Sequence, residues 1–223
     1  MYYKQIVNNL FDRQIDLEEN LRVKSFPQRQ AYRESISNII RRDLISGKFK
    51  CDEPIREQKL ATRFGTSRGP VRDALMQLTQ EGILQYQPNK GVRVNSLLTD
   101  EERDVVVAMR LELEKYCLNK FILLASEEDF ENISLLLERL KSACEVASLP
   151  EVAENDLALH RYWVAQASPH LESTWIGLSV RMIMKYSRLE NYAQSIAEHS
   201  RIVNAILERD VEKAFFYLGE NIL

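Results

Sequence analysis

The sequence predicts a mainly α-helical chain in two parts, an N-terminal winged helix-turn-helix followed by an all-helical bundle. Three observations predict it. Only 7 Gly and 6 Pro occur in 223 residues, too little turn material for a sandwich or barrel. Apolar residues recur at three- and four-residue spacing along most of the chain. One short stretch near residues 83–94 reads instead as two strands about a turn.

The elements follow in order. Residues 1–27 hold four basic and four acidic groups and read as a leader or short docking helix, closed by Phe26-Pro27. From Gln28, Ile36, Ile39, Ile40 and Leu44 form one helical stripe, and Gly47 is a natural stop. A turn at Cys51-Asp52 leads into a short helix carrying Ile55, Leu60, Ala61 and Phe64, closed by Gly65. The next helix takes Thr66 or Ser67 as its N-cap and buries Val71, Leu75 and Leu78. Pro70 falls in its first turn, where the missing N–H costs nothing, and Glu81-Gly82 ends it. Strands at 83–86 and 92–94 flank a turn at 88–91. This completes a domain over residues 28–95.

Thr99 with Glu102 three residues on is a capping box. The domain that follows, 99–223, is expected to be helical near 100–125, 127–148, 150–167, 171–190, 192–208 and 210–222. Glu127, Glu128 and Asp129 suit the positive end of the second helix dipole, and Pro150 and Pro169 mark breaks.

Charge and cysteine usage narrow the function class. The net charge of −3 is unevenly spread. Residues 28–95 hold 13 Lys and Arg against 7 Asp and Glu, an excess of +6, whereas 96–223 hold 13 against 22, a balance of −9. A basic segment joined to an acidic one suggests two domains with different partners, the basic one facing a polyanion. No apolar run reaches the ~18 residues of a membrane span, and no signal pattern opens the chain. Cys51, Cys117 and Cys144 are widely spaced and odd in number, which fits free thiols in a reducing cytoplasm.

The stretch "FGTSRGPVRDALMQLTQEGIL" carries the first candidate site. In a helix-turn-helix the second helix enters the major groove N-terminus first. That end needs small residues, spare N–H donors and arginines able to reach base edges. Ser67 can cap and touch phosphate, Gly69 permits close approach, and Arg68 and Arg72 fall on one face. Lys90 and Gly91 sit at the tip of the following hairpin.

This order, with "IRRDLISGKF", "IREQKLATRFGTSRGPVRDALMQLTQEGIL" and "NKGVRV", resembles the DNA-binding domain of GntR-family transcription regulators over residues 29–95. The resemblance implies that Arg68 and Arg72 are the main contacts to double-stranded operator DNA, assisted by Ser67, Gly69, Lys90 and Gly91. Two departures stand out. Cys51-Asp52 replaces a usual Pro-Gly, and Gly69 stands where many members have Thr.

The second candidate lies in the helical half. Asp156 and His160 are at i and i+4, on one helix face, and His199 lies on a later helix. Asp with two His is a credible divalent-metal set, although an Asp-x-x-x-His pair is more often a solvent-exposed pair. His170, after Pro169, reads as a surface or capping residue. Residues 99–223 are similar to the FCD effector domain of the FadR-type subfamily, through "MRLELE", "DLALH" and "EHSRIVNAILERDVEKA". Many members hold a metal with one Asp and three His and bind a small carboxylate on it. That implies Asp156, His160 and His199 as ligands, with Asn221 where the fourth His should fall.

Three readings of that departure stay open. A metal is held by three strong ligands plus Asn221 or water, or it is held weakly, or the pocket takes an organic ligand without metal. Zinc is the first choice, with nickel and manganese as alternatives. Arg110, and with it Arg181 or Arg188, would clamp the effector carboxylate. The expected protein is a cytoplasmic, homodimeric, metabolite-responsive regulator. The rival is a metal-dependent hydrolase built on Asp156, His160 and His199, against which no paired general base is evident and the basic module goes unexplained.

Overall fold

The computed structural model describes residues 26–185 and 191–222. Most of the expected leader, and Arg188, lie outside the described residues. The chain divides into two compact units, one ending at Asn95 and the other running from Ser96, with Arg42–Phe49 grouped in the second. No described helix is long and apolar enough to cross a membrane.

The first unit contains α1 (Phe26–Ile45), α2 (Glu57–Arg63), α3 (Arg68–Gln80), β1 (Leu84–Gln87) and β2 (Gly91–Val94). Helix α1 begins at Phe26, two residues ahead of the expected Gln28, with Pro27 in its first turn, where proline is tolerated. Ile36, Ile40, Leu60, Val71, Leu75, Leu78 and Ile83 bury fully against one another's layer. The strands pair antiparallel with Leu84 opposite Val94 and Gln87 opposite Gly91. The segment before α2 extends this wing, since Ile55 N–H donates to the Val92 carbonyl at 2.9 Å. The expected helix stops Gly47 and Gly65 have φ of 73° and 60°, the left-handed conformation glycine adopts without penalty. Asp52 takes a similar φ of 65° in the departing Cys51-Asp52 turn, so the aspartate sits where a glycine would be unstrained.

An ion pair that periodicity does not reveal ties α1 to the end of α3. Arg41, 4% exposed, donates from Nε and Nη2 to both oxygens of Glu81 at 3.2 and 2.6 Å, and from Nη1 to Asn38 at 2.6 Å. Gln77 joins the same network through Glu34 and Glu81, each at 3.0 Å. These contacts hold α3 by its C-terminal half, while Arg68, Gly69 and Arg72 at its N-terminal end are exposed.

The second unit is helical throughout its named elements: α4 (Asp100–Leu124), α5 (Glu127–Val146), α6 (Leu149–Ala167), α7 (Pro169–Lys185), α8 (Tyr192–Leu207) and α9 (Val211–Ile222). The capping box at Thr99 and Glu102 forms, and a second one joins Ser126 and Asp129. Helix α5 stops two residues earlier than expected, at a left-handed Ala147 with φ 56°. The C-terminal carbonyls of α4 are satisfied from a distance, because Arg209 donates to Ile122 and Ala125 at 2.6 and 2.8 Å. Trp163, Trp175, Leu118, Ile122, Ile133 and Leu140 fill the core.

Helix α4 is apolar on two sides. Val107, Glu114, Cys117, Leu118 and Phe121 are buried. Val105, Met109, Tyr116 and Leu123 are exposed, and at 100° per residue they fall within about 40° of one another on the opposite face.

Candidate DNA-contact surface and buried metal centre

Ser67, Arg68, Gly69 and Arg72 are all exposed at the N-terminal end of α3. Ser67 occupies the N-cap with extended backbone, but its hydroxyl does not make the capping bond expected of it. A Cβ placed on Gly69 would meet nothing nearer than Ser67 Oγ at 4.0 Å. Packing therefore does not require glycine there; its smallness is expressed only outward. At the hairpin tip Lys90 is exposed, between Asn89 and Gly91, which are both left-handed.

The two arginines are not free in solution. Glu57, the first residue of α2, receives Arg72 at 2.9 and 3.0 Å and Arg68 at 3.2 and 2.8 Å. The Arg72 hydrogen bonds, with those of Arg68 behind them, overcome partial burial and hold the Glu57 carboxyl down at about 2. One carboxylate thus sets the direction of both guanidinium groups. An i,i+4 reading of α3 cannot find it, because the partner lies across the turn on another helix.

In the second unit, α6 presents Asp156 and His160 one turn apart, and α8 brings His199 against them. Their ligand atoms lie within 4.8 Å of one another, and all three residues are buried. No other described group of three or more His, Cys, Asp or Glu side chains is so arranged. His160 Nε2 and His199 Nε2 are 3.2 Å apart, and His199 Nε2 is 2.8 Å from Asp156 Oδ1.

The tautomers follow from what the other ring nitrogens touch. His160 Nδ1 is 2.7 Å from the Glu114 carboxylate, and His199 Nδ1 is 2.7 Å from the Ser195 carbonyl. Both oxygens can only accept, so in each neutral ring Nδ1 carries the proton and Nε2 carries the lone pair. Two converging lone pairs repel unless a cation lies between them. Tetrahedral zinc ligands at about 2.0–2.1 Å stand about 3.3 Å apart, which matches the spacing of the two nitrogens. The residues therefore fit a divalent metal.

Glu114 is the anchor of this arrangement. It is fully buried and accepts from Arg110 Nε at 2.7 Å, from His160 and from Trp175 Nε1 at 2.6 Å. Burial opposes its charge, but Arg110 and His160 outweigh it and hold the carboxyl at about 2. Asp156 is likewise penalised by burial, yet His199, His160 and Arg110 hold it well below the usual carboxylate range. Burial disfavours the charged His199 ring, and the Asp156 hydrogen bond reverses this and raises its pKa.

A cavity of ≈ 60 Å³ opens beside the centre. Arg110, Asp156, His199 and Asn221 line it, as do Met182, Gln194 and Glu198, which residue patterns did not single out. Arg110 reaches it already committed to Glu114. Arg181 is not among the lining residues, since its neighbours Met182 and Ile183 take that face of α7. Asn221 donates from Nδ2 to Glu198 Oε2 at 3.1 Å. His170 is exposed and is not part of the cluster.

Comparison with known proteins accords with both units. Residues 32–94 match the family described as bacterial regulatory proteins, gntR family, and residues 105–216 match the FCD domain. An uncharacterized HTH-type transcriptional regulator, YdhC, of Bacillus subtilis is 28% identical over 79% of this chain and 81% of its own. The gluconate operon transcriptional repressor of Bacillus licheniformis is 25% identical over 82% and 78%. The HTH-type transcriptional repressor GlaR of Escherichia coli is 28% identical over 82% and 89%. Among solved structures, E. coli McbR/YncC shares the fold with a TM-score of 0.72 at 21% identity, covering 86% of this chain and 93% of that one. With both family regions matched across most of its length, the chain belongs to the gntR family of bacterial regulatory proteins, and it is a DNA-binding transcription regulator with an FCD effector domain, not an enzyme.

Proposed function

We propose that this regulator senses a small carboxylate through a divalent metal, zinc in the first instance, held by Asp156, His160 and His199. The observation that carries the reading is the convergence of two Nε2 lone pairs and one carboxylate on the wall of a cavity. A metal bound there supplies an open coordination position for an effector oxygen. The chain's own residues orient the centre. Glu114 and the Ser195 carbonyl fix the two tautomers, and Arg110 keeps Glu114 ionised. One relative carries the name of an operon for a sugar acid, gluconate, which is consistent with a carboxylate signal.

The regulator acts as a homodimer on two-fold related half-sites. The exposed stripe Val105, Met109, Tyr116 and Leu123 on α4 is the surface that supports this, with a second copy as its occupant. Arg68 and Arg72 contact base edges, with Ser67, Gly69, Lys90 and Gly91 against the backbone. Effector binding changes the spacing of the two DNA-reading units and so the operator affinity.

Calorimetry on metal-stripped and zinc-loaded protein tests the sensing half. Small carboxylates should bind the loaded form and lose at least ten-fold in affinity on stripping. Equal binding by stripped protein would replace this reading with a metal-independent acid sensor.

A further inference from the structure

The cavity contains one charge that the reading above does not use. Glu198 on α8 is 8% exposed and lines the cavity beside the metal centre. It is not part of the cluster whose ligand atoms lie within 4.8 Å. Gln194 Nε2 donates to its Oε1 at 2.7 Å and Asn221 Nδ2 to its Oε2 at 3.1 Å. Asn191 in turn donates to Gln194 Oε1 at 3.0 Å. Two amides thus turn their N–H groups toward one carboxylate, and Asn191 orients one of the two. Among the described residues no Lys or Arg pairs with it. Within the described residues its hydrogen-bond partners are neutral amides, and a buried carboxylate so held is costly unless a cation joins it.

Charge balance indicates which ligand supplies that cation. Among the described residues, the cavity and the metal centre together hold three carboxylates, Glu114, Asp156 and Glu198, and one guanidinium, Arg110. A divalent metal on two neutral imidazoles brings the sum to zero. A simple carboxylate effector would leave the closed site one unit negative. A zwitterion would leave it neutral.

We infer that the effector is a small amino acid, its carboxylate on the metal side and its ammonium on Glu198. This rests on the metal-dependent reading of the same site and adds the chemical class. Asn221 then acts on the effector side. Its N–H₂ holds Glu198, and its carbonyl oxygen, turned away by that bond, is available as a further acceptor for the ammonium. The departure from the family's fourth histidine becomes part of amine recognition.

The test uses zinc-loaded full-length protein and matched pairs of probes that differ by the amine: L-alanine with propionate, L-aspartate with succinate. At least one amino acid should bind ten-fold or more tightly than its partner acid. Glu198→Gln should abolish that preference and leave zinc stoichiometry unchanged. Acids binding as tightly as their amino partners would overturn the inference and leave the carboxylate reading standing. A preference that survives Glu198→Gln would overturn the role of Glu198. No binding of either member of any pair by fully zinc-loaded protein would overturn both readings.

Discussion

At the scale of single residues, two buried or half-buried carboxylates organise the sites, and each acts by fixing cations. Glu57 aims Arg68 and Arg72 together. Replacing either arginine by Ala should weaken operator binding about ten-fold or more, the size of a lost base contact, and leave metal content intact. Fluorescence anisotropy on an operator selected from random duplexes measures this, and unchanged affinity in both variants would remove α3 from the interface. Glu57→Gln should narrow the gap between operator and scrambled duplex, because the guanidinium groups lose their common anchor and the surface gains positive charge. The folded carboxyl of Glu57 lies at about 2, below its ordinary 4.5. Its ion-pair contribution is therefore complete above about pH 4.5 and is lost only as pH falls through about 2, so Glu57 adds no pH dependence between 5 and 8. In the other unit, Glu114→Gln should weaken zinc binding by about 10–100-fold in chelator competition, the usual cost of an outer partner. His160→Ala, which removes a ligand, should abolish stoichiometric zinc.

At the scale of elements, capping and two-faced helices matter more than propensity. The Thr99 box starts α4, the helix that supplies both Arg110 and Glu114. Its bonds run from Glu102 N–H to Thr99 Oγ1 at 3.2 Å and from Thr99 N–H to Glu102 Oε2 at 2.8 Å. Thr99→Ala should cost about 1 kcal/mol of stability by thermal or denaturant unfolding, with metal stoichiometry unchanged. A much larger loss would mean that the box also positions the centre. Much of this was legible in advance. Thr99 and Glu102, the Gly47 and Gly65 stops and the 88–91 turn each act through neighbours a few residues away, so sequence order alone reveals them. The end of α5 and the opening of α1 at Phe26 were misjudged because Ala147 and Pro27 permit more than one local outcome.

At the scale of the whole molecule, the proposed dimer needs a surface on which two copies meet. The exposed stripe on α4 lies opposite its core face, so a single copy leaves Val105, Met109, Tyr116 and Leu123 in water. Introducing Met109→Glu with Leu123→Glu should convert dimer to monomer in sedimentation velocity. It should also reduce operator affinity and preserve zinc binding within each chain. A double variant that stays dimeric would place the interface elsewhere.

Beyond the candidate ligands Asp156, His160 and His199, which the resemblance to the FCD domain implies, the sequence by itself determined the order of elements, the winged helix-turn-helix and the helical second domain. These depend on periodicity, caps and residue type, all local properties of the chain. The tertiary structure alone decided which partners those residues have. Glu57 meets Arg68 and Arg72 across a turn, Arg41 meets Glu81 across 40 positions, and Glu114 meets His160 across 46. Glu198, Gln194 and Asn221 meet only when α8 and α9 pack together. Such pairings depend on how helices cross, which is set by the packing of whole faces, and no spacing along the chain encodes them.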